Sequence, residues 1–191
     1  MLVAGVTLSI LAVSRYLDVL DYYFIVLILG GAILNYVLHE FAHKYLAKRY
    51  GLFAEYGIIR EGAIFTALGI IPFFPFKFIA PGAVFVRGSS NPEETGRIAL
   101  AGPFTNLILS GIFLTLSGLG ERIETFLDPS ISFQLSISFY FLALISSTIA
   151  MFNLIPFGPL DGSSILKWDK NVFIVTFVFA LTSWLLVYSI R

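Results

Sequence analysis

The sequence contains no cysteine and only two histidines, and charged residues make up only 13% of its 191 positions. The absence of cysteine excludes disulfide bonds, thiolate metal ligands and thiol nucleophiles, so any metal site must use histidine, aspartate or glutamate. Twelve basic residues balance twelve acidic ones. With no excess of either sign, we expect no nucleic-acid partner.

Apolar residues are what the chain has in excess. They make up 58% of the sequence, twenty positions are phenylalanine, and the mean hydropathy is +0.89. These values lie well outside those of an average soluble domain. The composition therefore predicts an integral, multi-pass membrane protein that is surrounded by the lipid bilayer. The apolar N-terminus has neither a basic leader nor a small-residue cleavage pattern, so we expect a retained helix rather than a signal peptide.

Several apolar segments are long enough to cross a hydrocarbon core of roughly 30 Å. They predict an all-α polytopic membrane protein with about five to six transmembrane helices. No repeat or long linker divides the chain, so residues 1–191 are expected to form a single membrane-embedded domain. The expected spans are residues 22–47, 98–119, 131–152 and 172–190, with a further helix at 2–20 that spans only if it continues past Arg15.

The segment after the first clear span has a different character. Residues 63–86 are apolar but include Pro72, Pro75 and Pro81, which break a straight helix. A small re-entrant or extended β-like segment is expected here, with an extended piece at 80–86 (APGAVFV), where β-branched residues follow a Pro-Gly turn signal. Whether residues 63–78 cross, enter or lie along the membrane stays open. Residues 87–97 are predicted to be a polar loop, and Pro103 is expected near the start of the next helix, where proline is tolerated.

Two histidines and a carboxylate lie in one of the most apolar runs, LHEFAHK at residues 38–44. On a helix, His39 and His43 are separated by four positions and project from the same face. In H-E-x-x-H sites the histidines bind Zn²⁺ and the glutamate takes a proton from the water that zinc activates. The pattern predicts His39 and His43 as zinc ligands and Glu40 as the general base. The alternative is a pair of interfacial histidines with Glu40 bonded to Lys44, but ionisable residues inside a membrane are costly and usually functional.

A catalytic zinc site normally has three protein ligands and one open position. Since there is no third histidine, the remaining ligand must be an acid. Asp161 is the best candidate because it follows an apolar span and lies in a proline- and glycine-rich loop, where irregular backbone lines a cavity or is buried in protein. Asp161 could instead cap a helix that begins near Gly162. The other acids on the same side of the membrane are Glu55, Glu61, Glu93, Glu94 and Asp169.

The basic residues predict the orientation. If the spans alternate and the middle segment does not cross, most of them lie on the side that carries the H-E-x-x-H motif and Asp161. The positive-inside rule makes that side cytoplasmic. It holds Lys44, Lys48, Arg49, Arg60, Arg87, Arg97, Lys167 and Lys170, whereas Arg15, Arg122 and Arg191 lie on the other.

Three stretches together resemble the site-2 protease family of intramembrane zinc metalloproteases, in a compact form without a PDZ or CBS domain. They are HEFAH at 39–43, AGPFTN at 101–106 and NLIPFGPLDG at 153–162. The resemblance implies one Zn²⁺ per chain held by His39, His43 and Asp161, and Glu40 as the general base. It also implies substrate pairing along residues 80–86 and a substrate or transition-state contact for Asn153. For both Asn106 and Asn153, such a contact and a purely structural hydrogen bond stay open.

The expected function is hydrolysis of peptide bonds in transmembrane segments of other membrane proteins near the cytoplasmic face, as in regulated intramembrane proteolysis. The alternative is a non-hydrolytic metal-binding membrane protein, either a transporter or a pseudoprotease that binds membrane clients. A third reading, a structural membrane subunit with an accidental motif, predicts no bound metal. The residues do not predict the substrate or the oligomeric state.

Overall fold

The computed structural model describes residues 20–58, 60, 64, 82–88, 90–122 and 126–190. Within these residues, four helices are long and apolar enough to cross a membrane. The predicted number of five to six is not confirmed, and the helix expected at 2–20 and the segment at 65–78 lie outside the described residues. In chain order the elements are α1 (Tyr22–Arg49), β1 (Phe53–Ile58), β2 (Gly82–Arg87), α2 (Pro92–Arg122), α3 (Pro129–Asn153), α4 (Asp161–Trp168) and α5 (Lys170–Ser189).

Helix α3 forms the centre of the bundle. In its most apolar stretch, 78% of the residues are buried, against 17% in α1 and 11% in α5. Hydroxyl side chains of α2 bond directly to the α3 backbone, with Ser110 donating to the Ala143 carbonyl at 3.1 Å and Ser117 to the Ser136 carbonyl at 2.9 Å. Small polar residues of this kind let membrane helices approach closely and satisfy one another. The outer faces of α1 and α5 remain apolar and exposed, as expected for lipid contact.

Helix α1 lies alongside α3 and runs in the same direction. At one end, the Asp21 backbone N–H donates to Gln134 Oε1 at 2.6 Å, and Gln134 Nε2 donates to the Asp21 carboxylate at 2.9 Å. Near the middle, Ser146 of α3 donates to Asn35 of α1 at 2.5 Å. These contacts, together with a buried apolar cluster that includes Ile28 and Phe141, fix the rotation of α1 and therefore the direction in which its polar residues point.

Strands β1 and β2 form an antiparallel hairpin in the register Phe53↔Arg87 to Ile58↔Gly82. Strand β2 confirms the extended piece expected at 80–86, whereas β1 was not predicted. The hairpin is attached to α1, because the Tyr36 hydroxyl donates to the Gly82 carbonyl at 2.6 Å. A side chain at Gly82 would collide with the Gly57 carbonyl and with the Tyr56 ring and hydroxyl, so the two strands can approach this closely only with glycine at that position.

The start of α2 corrects the sequence-based prediction. The helix begins at Pro92, so residues 92–97 are helical rather than part of a polar loop, and Pro103 lies inside the helix instead of near its start. The cause is a capping box: Asn91 Oδ1 accepts from the Glu94 N–H at 2.8 Å, and Glu94 Oε2 accepts from the Asn91 N–H at 3.1 Å. Proline at the first helical position completes this start signal.

Candidate metal centre

The H-E-x-x-H motif of α1 has the arrangement that its spacing predicts. His39 and His43 lie one turn apart on the same face, and their Nε2 atoms are 3.0 Å apart. Both side chains are almost fully buried, with 3% and 8% of their surface exposed. Two buried imidazole nitrogens this close to each other need a shared partner.

Asp161 supplies the third group. Its Oδ2 atom lies 3.3 Å from His39 Nε2 and 3.4 Å from His43 Nε2. Asp161 is the first residue of α4, and it does not cap that helix, which has no side-chain cap. The carboxylate reaches the histidines because the chain folds back tightly after α3: Gly162 lies so close to the Leu154 carbonyl that no side chain would fit there.

The three groups fit a zinc ion. A tetrahedral site with metal–ligand bonds of about 2.0–2.1 Å separates its ligand atoms by roughly 3.3 Å. The observed separations of 3.0, 3.3 and 3.4 Å match that spacing. Within the residues that the structure describes, His39, His43 and Asp161 form the candidate group of metal ligands. The chemistry of the set, two imidazoles and one carboxylate, also suits zinc.

Gly102 of α2 lies directly against the two imidazoles. A Cβ atom at Gly102 would lie 2.6 Å from His39 Nε2 and still closer to His43 Nε2. The space next to both Nε2 atoms, the candidate metal ligands, is therefore free only because residue 102 has no side chain. This gives a physical role to the glycine of AGPFTN, which the sequence alone did not reveal.

The other ring nitrogen of each histidine is held by α2. His39 Nδ1 is 2.5 Å from Asn106 Oδ1, and His43 Nδ1 is 2.7 Å from the Ile98 carbonyl. Both partners are acceptors, so each Nδ1 carries the proton and each Nε2 keeps the lone pair that a metal needs. Asn106 is completely buried, and its contacts are those of an interhelical hydrogen bond. A carbonyl partner such as Ile98 has no signal in a sequence.

Burial alone would raise the pKa of the Asp161 carboxyl. When the imidazoles are protonated, the charge of His43 and the hydrogen bonds from both rings outweigh burial and lower that pKa to about 2. A cation bound in place of those protons would favour the ionised carboxylate in the same way, as metal ligation requires.

Glu40 lies next to the ligands and against the hairpin. Its Oε2 atom accepts a hydrogen bond from the Val84 backbone N–H of β2 at 3.0 Å, and its side chain is half-buried. Among the described residues it forms no ion pair with Lys44, the partner in the alternative interpretation of the motif. The carboxylate is thus placed between the ligand cluster and a strand edge.

Asn153 is the last residue of α3, and its Nδ2 atom donates to the Ile149 carbonyl in its own helix at 3.0 Å. This is the geometry of a terminal residue that satisfies its own turn. The predicted contact of Asn153 with substrate stays a prediction.

Comparison with known proteins supports the chemistry of this cluster. The family described as Peptidase family M50 matches residues 115–168, which include α3 and Asp161. A Methanocaldococcus jannaschii protein, MJ0611, provisionally named a zinc metalloprotease, is 32% identical over 178 residues, which cover 91% of this chain and 87% of that protein.

Two further relatives are longer than this chain. The zinc metalloprotease MJ0392 of the same organism is 28% identical over 75% of this chain and 39% of its own length. Rip3 of Mycobacterium tuberculosis, also provisionally named a zinc metalloprotease, is 29% identical over 74% of this chain and 32% of its own length. No solved structure matches the chain. The extent of the similarity to MJ0611 establishes that this multi-pass membrane protein belongs to peptidase family M50, the site-2 protease family, and is a zinc metalloprotease.

Proposed function

We propose that residues 1–191 form one membrane-embedded protease domain that hydrolyses peptide bonds in transmembrane segments of other proteins, near the cytoplasmic face. One observation carries the proposal. The Nε2 atoms of His39 and His43 and the Oδ2 atom of Asp161 lie within 3.4 Å of one another, and the helix that carries both histidines is long and apolar enough to cross a membrane.

The depth of the cluster supports a substrate inside the bilayer. His39 precedes Lys48, in the last turn of α1, by nine positions, which corresponds to roughly 14 Å along a helix axis. A peptide bond at this depth belongs to a membrane-spanning segment of another protein. That segment must unwind locally, because a regular helix keeps its carbonyl groups bonded within the helix.

The distribution of basic residues supports the cytoplasmic side. The end of the bundle near the cluster carries most of the lysines and arginines of the described residues, and the opposite end carries Arg122. Basic residues favour the cytoplasmic side of a membrane. Those near the cluster are Lys44, Lys48, Arg49, Arg87, Arg97, Lys167 and Lys170.

The proposed roles follow from the contacts. His39, His43 and Asp161 would hold the zinc ion, which would act as a Lewis acid toward water and the scissile carbonyl. Glu40 accepts the proton of the attacking water and transfers it to the leaving amine. The Val84 N–H fixes the direction of the Glu40 carboxylate, so a substrate segment that lies against β2 meets the base and the metal ligands together.

Asn153 is proposed as a donor to the substrate. Its amide has two N–H groups, of which one bonds the Ile149 carbonyl; the second is assigned to the substrate carbonyl or its oxyanion. Asn106, which is buried behind His39, is assigned to the support of that ligand and not to the substrate.

The test combines metal content and cleavage in detergent-purified protein. Wild type, Glu40→Gln, His43→Ala and the control Lys44→Gln are each analysed for zinc and incubated with a single-span protein whose fragments are identified by mass spectrometry. We expect about one zinc and cleavage in wild type and Lys44→Gln, about one zinc without cleavage in Glu40→Gln, and loss of both in His43→Ala. Cleavage by Glu40→Gln would overturn the role of the base. Zinc in wild type without cleavage of any tested span would favour a non-hydrolytic metal-binding protein.

The orientation is tested separately, and the absence of native cysteine makes the test direct. Single cysteines are introduced as Lys48→Cys, near the cluster, and Phe126→Cys, which is 86% exposed between α2 and α3. In intact cells a membrane-impermeant maleimide should label only Phe126→Cys. The reverse labelling would place the cluster on the outer side.

A further inference from the structure

We propose that Asn35 and Ser146 are positioning residues that set the orientation of His39 through Asn106. The inference rests on the proposed role of His39 as a zinc ligand. Neither residue lies in the three stretches that resemble the family, and neither contacts the zinc-binding nitrogen.

The four side chains form one buried chain of hydrogen bonds across three helices. Ser146 of α3 donates to Asn35 Oδ1 at 2.5 Å, Asn106 Nδ2 donates to the same oxygen at 3.3 Å, and Asn106 Oδ1 lies 2.5 Å from His39 Nδ1. Asn35, Asn106 and Ser146 are at most 1% exposed. A polar group this deeply buried is costly unless its partners are in place, so the chain has a defined arrangement.

The direction of each amide follows from its partners. An amide nitrogen only donates and an amide oxygen only accepts. Asn35 Nδ2 donates to the Gly31 carbonyl of its own helix at 3.0 Å, which turns its Oδ1 toward Ser146 and Asn106. Asn106 must then present Nδ2 to Asn35, and its Oδ1 faces His39. That oxygen requires a proton on His39 Nδ1, which leaves Nε2 free to bind the metal.

The reverse orientation of Asn106 would be incompatible with metal binding. Its amide nitrogen would face His39 Nδ1, which would then carry the lone pair and move the proton to Nε2. Asn35 opposes this reversal, because it would set its acceptor Oδ1 against the Asn106 oxygen. The Ser146 hydroxyl supports Asn35 by donating its one proton, which it shares between Asn35 Oδ1 and the Leu142 carbonyl of its own helix at 2.7 Å.

His43 needs no such arrangement. Its Nδ1 faces the Ile98 carbonyl of the α2 backbone at 2.7 Å, and a backbone carbonyl accepts in any orientation. The two histidines are thus oriented by different means, one by the backbone and the other by a relay of side chains. We therefore expect changes in the relay to weaken zinc binding through His39 alone.

The experiment measures zinc affinity by chelator competition in purified full-length protein. Loss of a direct hydrogen-bond partner of a metal ligand typically weakens metal binding by about 10–100-fold. We expect this range for Asn106→Leu, up to this range for Asn35→Leu, which acts through Asn106, and a several-fold loss for Ser146→Ala. The matched control is Ser147→Ala: Ser147 is the next residue of α3, is equally buried, and donates within its own helix to the Leu144 carbonyl. It should bind zinc as wild type does.

A double-mutant cycle separates positioning from general loss of structure. If Asn35 acts through Asn106, then adding Asn35→Leu to Asn106→Leu should weaken zinc binding no further. If the two residues act independently, their losses of binding free energy would add, and the fold-changes in affinity would multiply. Additive losses would overturn the proposal, as would wild-type affinity in both Asn35→Leu and Ser146→Ala. If Asn35→Leu does not fold, the cycle is run with Ser146→Ala. Absence of zinc from wild type would instead refute the proposed function.

Discussion

The substitution Gly102→Ala tests the position of the metal with a single methyl group. The new Cβ atom would lie 2.6 Å from His39 Nε2 and closer still to His43 Nε2. Non-bonded atoms of this kind prefer about 3.5 Å, so the imidazoles or α2 must move by about 1 Å. Zinc sites tolerate deviations of about 0.2 Å in ligand position. The methyl group would also occupy the space beside both zinc-binding nitrogens.

We therefore expect Gly102→Ala to lower zinc affinity by at least about 100-fold, which corresponds to about 2.7 kcal/mol. The assay is competition with a chelator of known affinity, followed by cleavage of a transmembrane substrate at saturating zinc. The control is Gly111→Ala in the same helix, where a Cβ atom would have no neighbour within 4 Å. Both substitutions raise helix propensity equally, so the comparison isolates the effect at the site.

If Gly102→Ala bound zinc and cleaved substrate as well as Gly111→Ala does, the ion would have to lie away from the face of the imidazoles that Gly102 borders. A loss of folded protein in both variants would point to helix packing and not to the site.

Two further predictions concern the surroundings of the site. Tyr36→Phe removes the 2.6 Å hydrogen bond to the Gly82 carbonyl and loosens the attachment of β2 to α1. We expect unchanged zinc content and a several-fold rise in KM with little change in kcat, measured beside the control Tyr45→Phe on the exposed side of α1. Loss of zinc from Tyr36→Phe would contradict this prediction. Asn91→Ala removes the capping box and should lower the free energy of unfolding, measured in denaturant titrations, by about 1 kcal/mol. Zinc affinity should stay at its wild-type value. Weaker zinc binding would show instead that the start of α2 controls the position of the ligands.

Local patterns predicted much of the fold and of the site. The spacing of His39 and His43 places both on one helical face whatever the surrounding fold, and a proline- and glycine-rich loop after an apolar span is a recognisable place for Asp161. Four apolar spans and an extended piece at 80–86 followed from length and composition in the same way. These features are set by residues close together in the chain, which is why the sequence alone revealed them.

The features that were missed depend on partners far away in the sequence. The contacts of Gly102, Asn35 and Ser146, and the roles proposed for them, exist only once α1, α2 and α3 are packed together, because each residue contacts another helix. Strand β1 is stabilised by β2, and the alternation of apolar and polar residues within β1 is too weak to predict a strand. The early start of α2 is different, since Asn91 and Glu94 form a local capping signal that could have been recognised.

The separation of the candidate zinc ligands along the chain has a consequence for biosynthesis. The histidines belong to α1, but Asp161 follows α3 and is made almost 120 residues later. At about 5–20 residues per second, roughly 6–24 s of translation separate them. Until α3 has inserted and the chain has folded back at Gly162, the ligand set is incomplete, and we expect the nascent protein to be unable to cut. We therefore expect membrane proteins that insert beside the nascent chain to stay uncut until its Asp161 is in place.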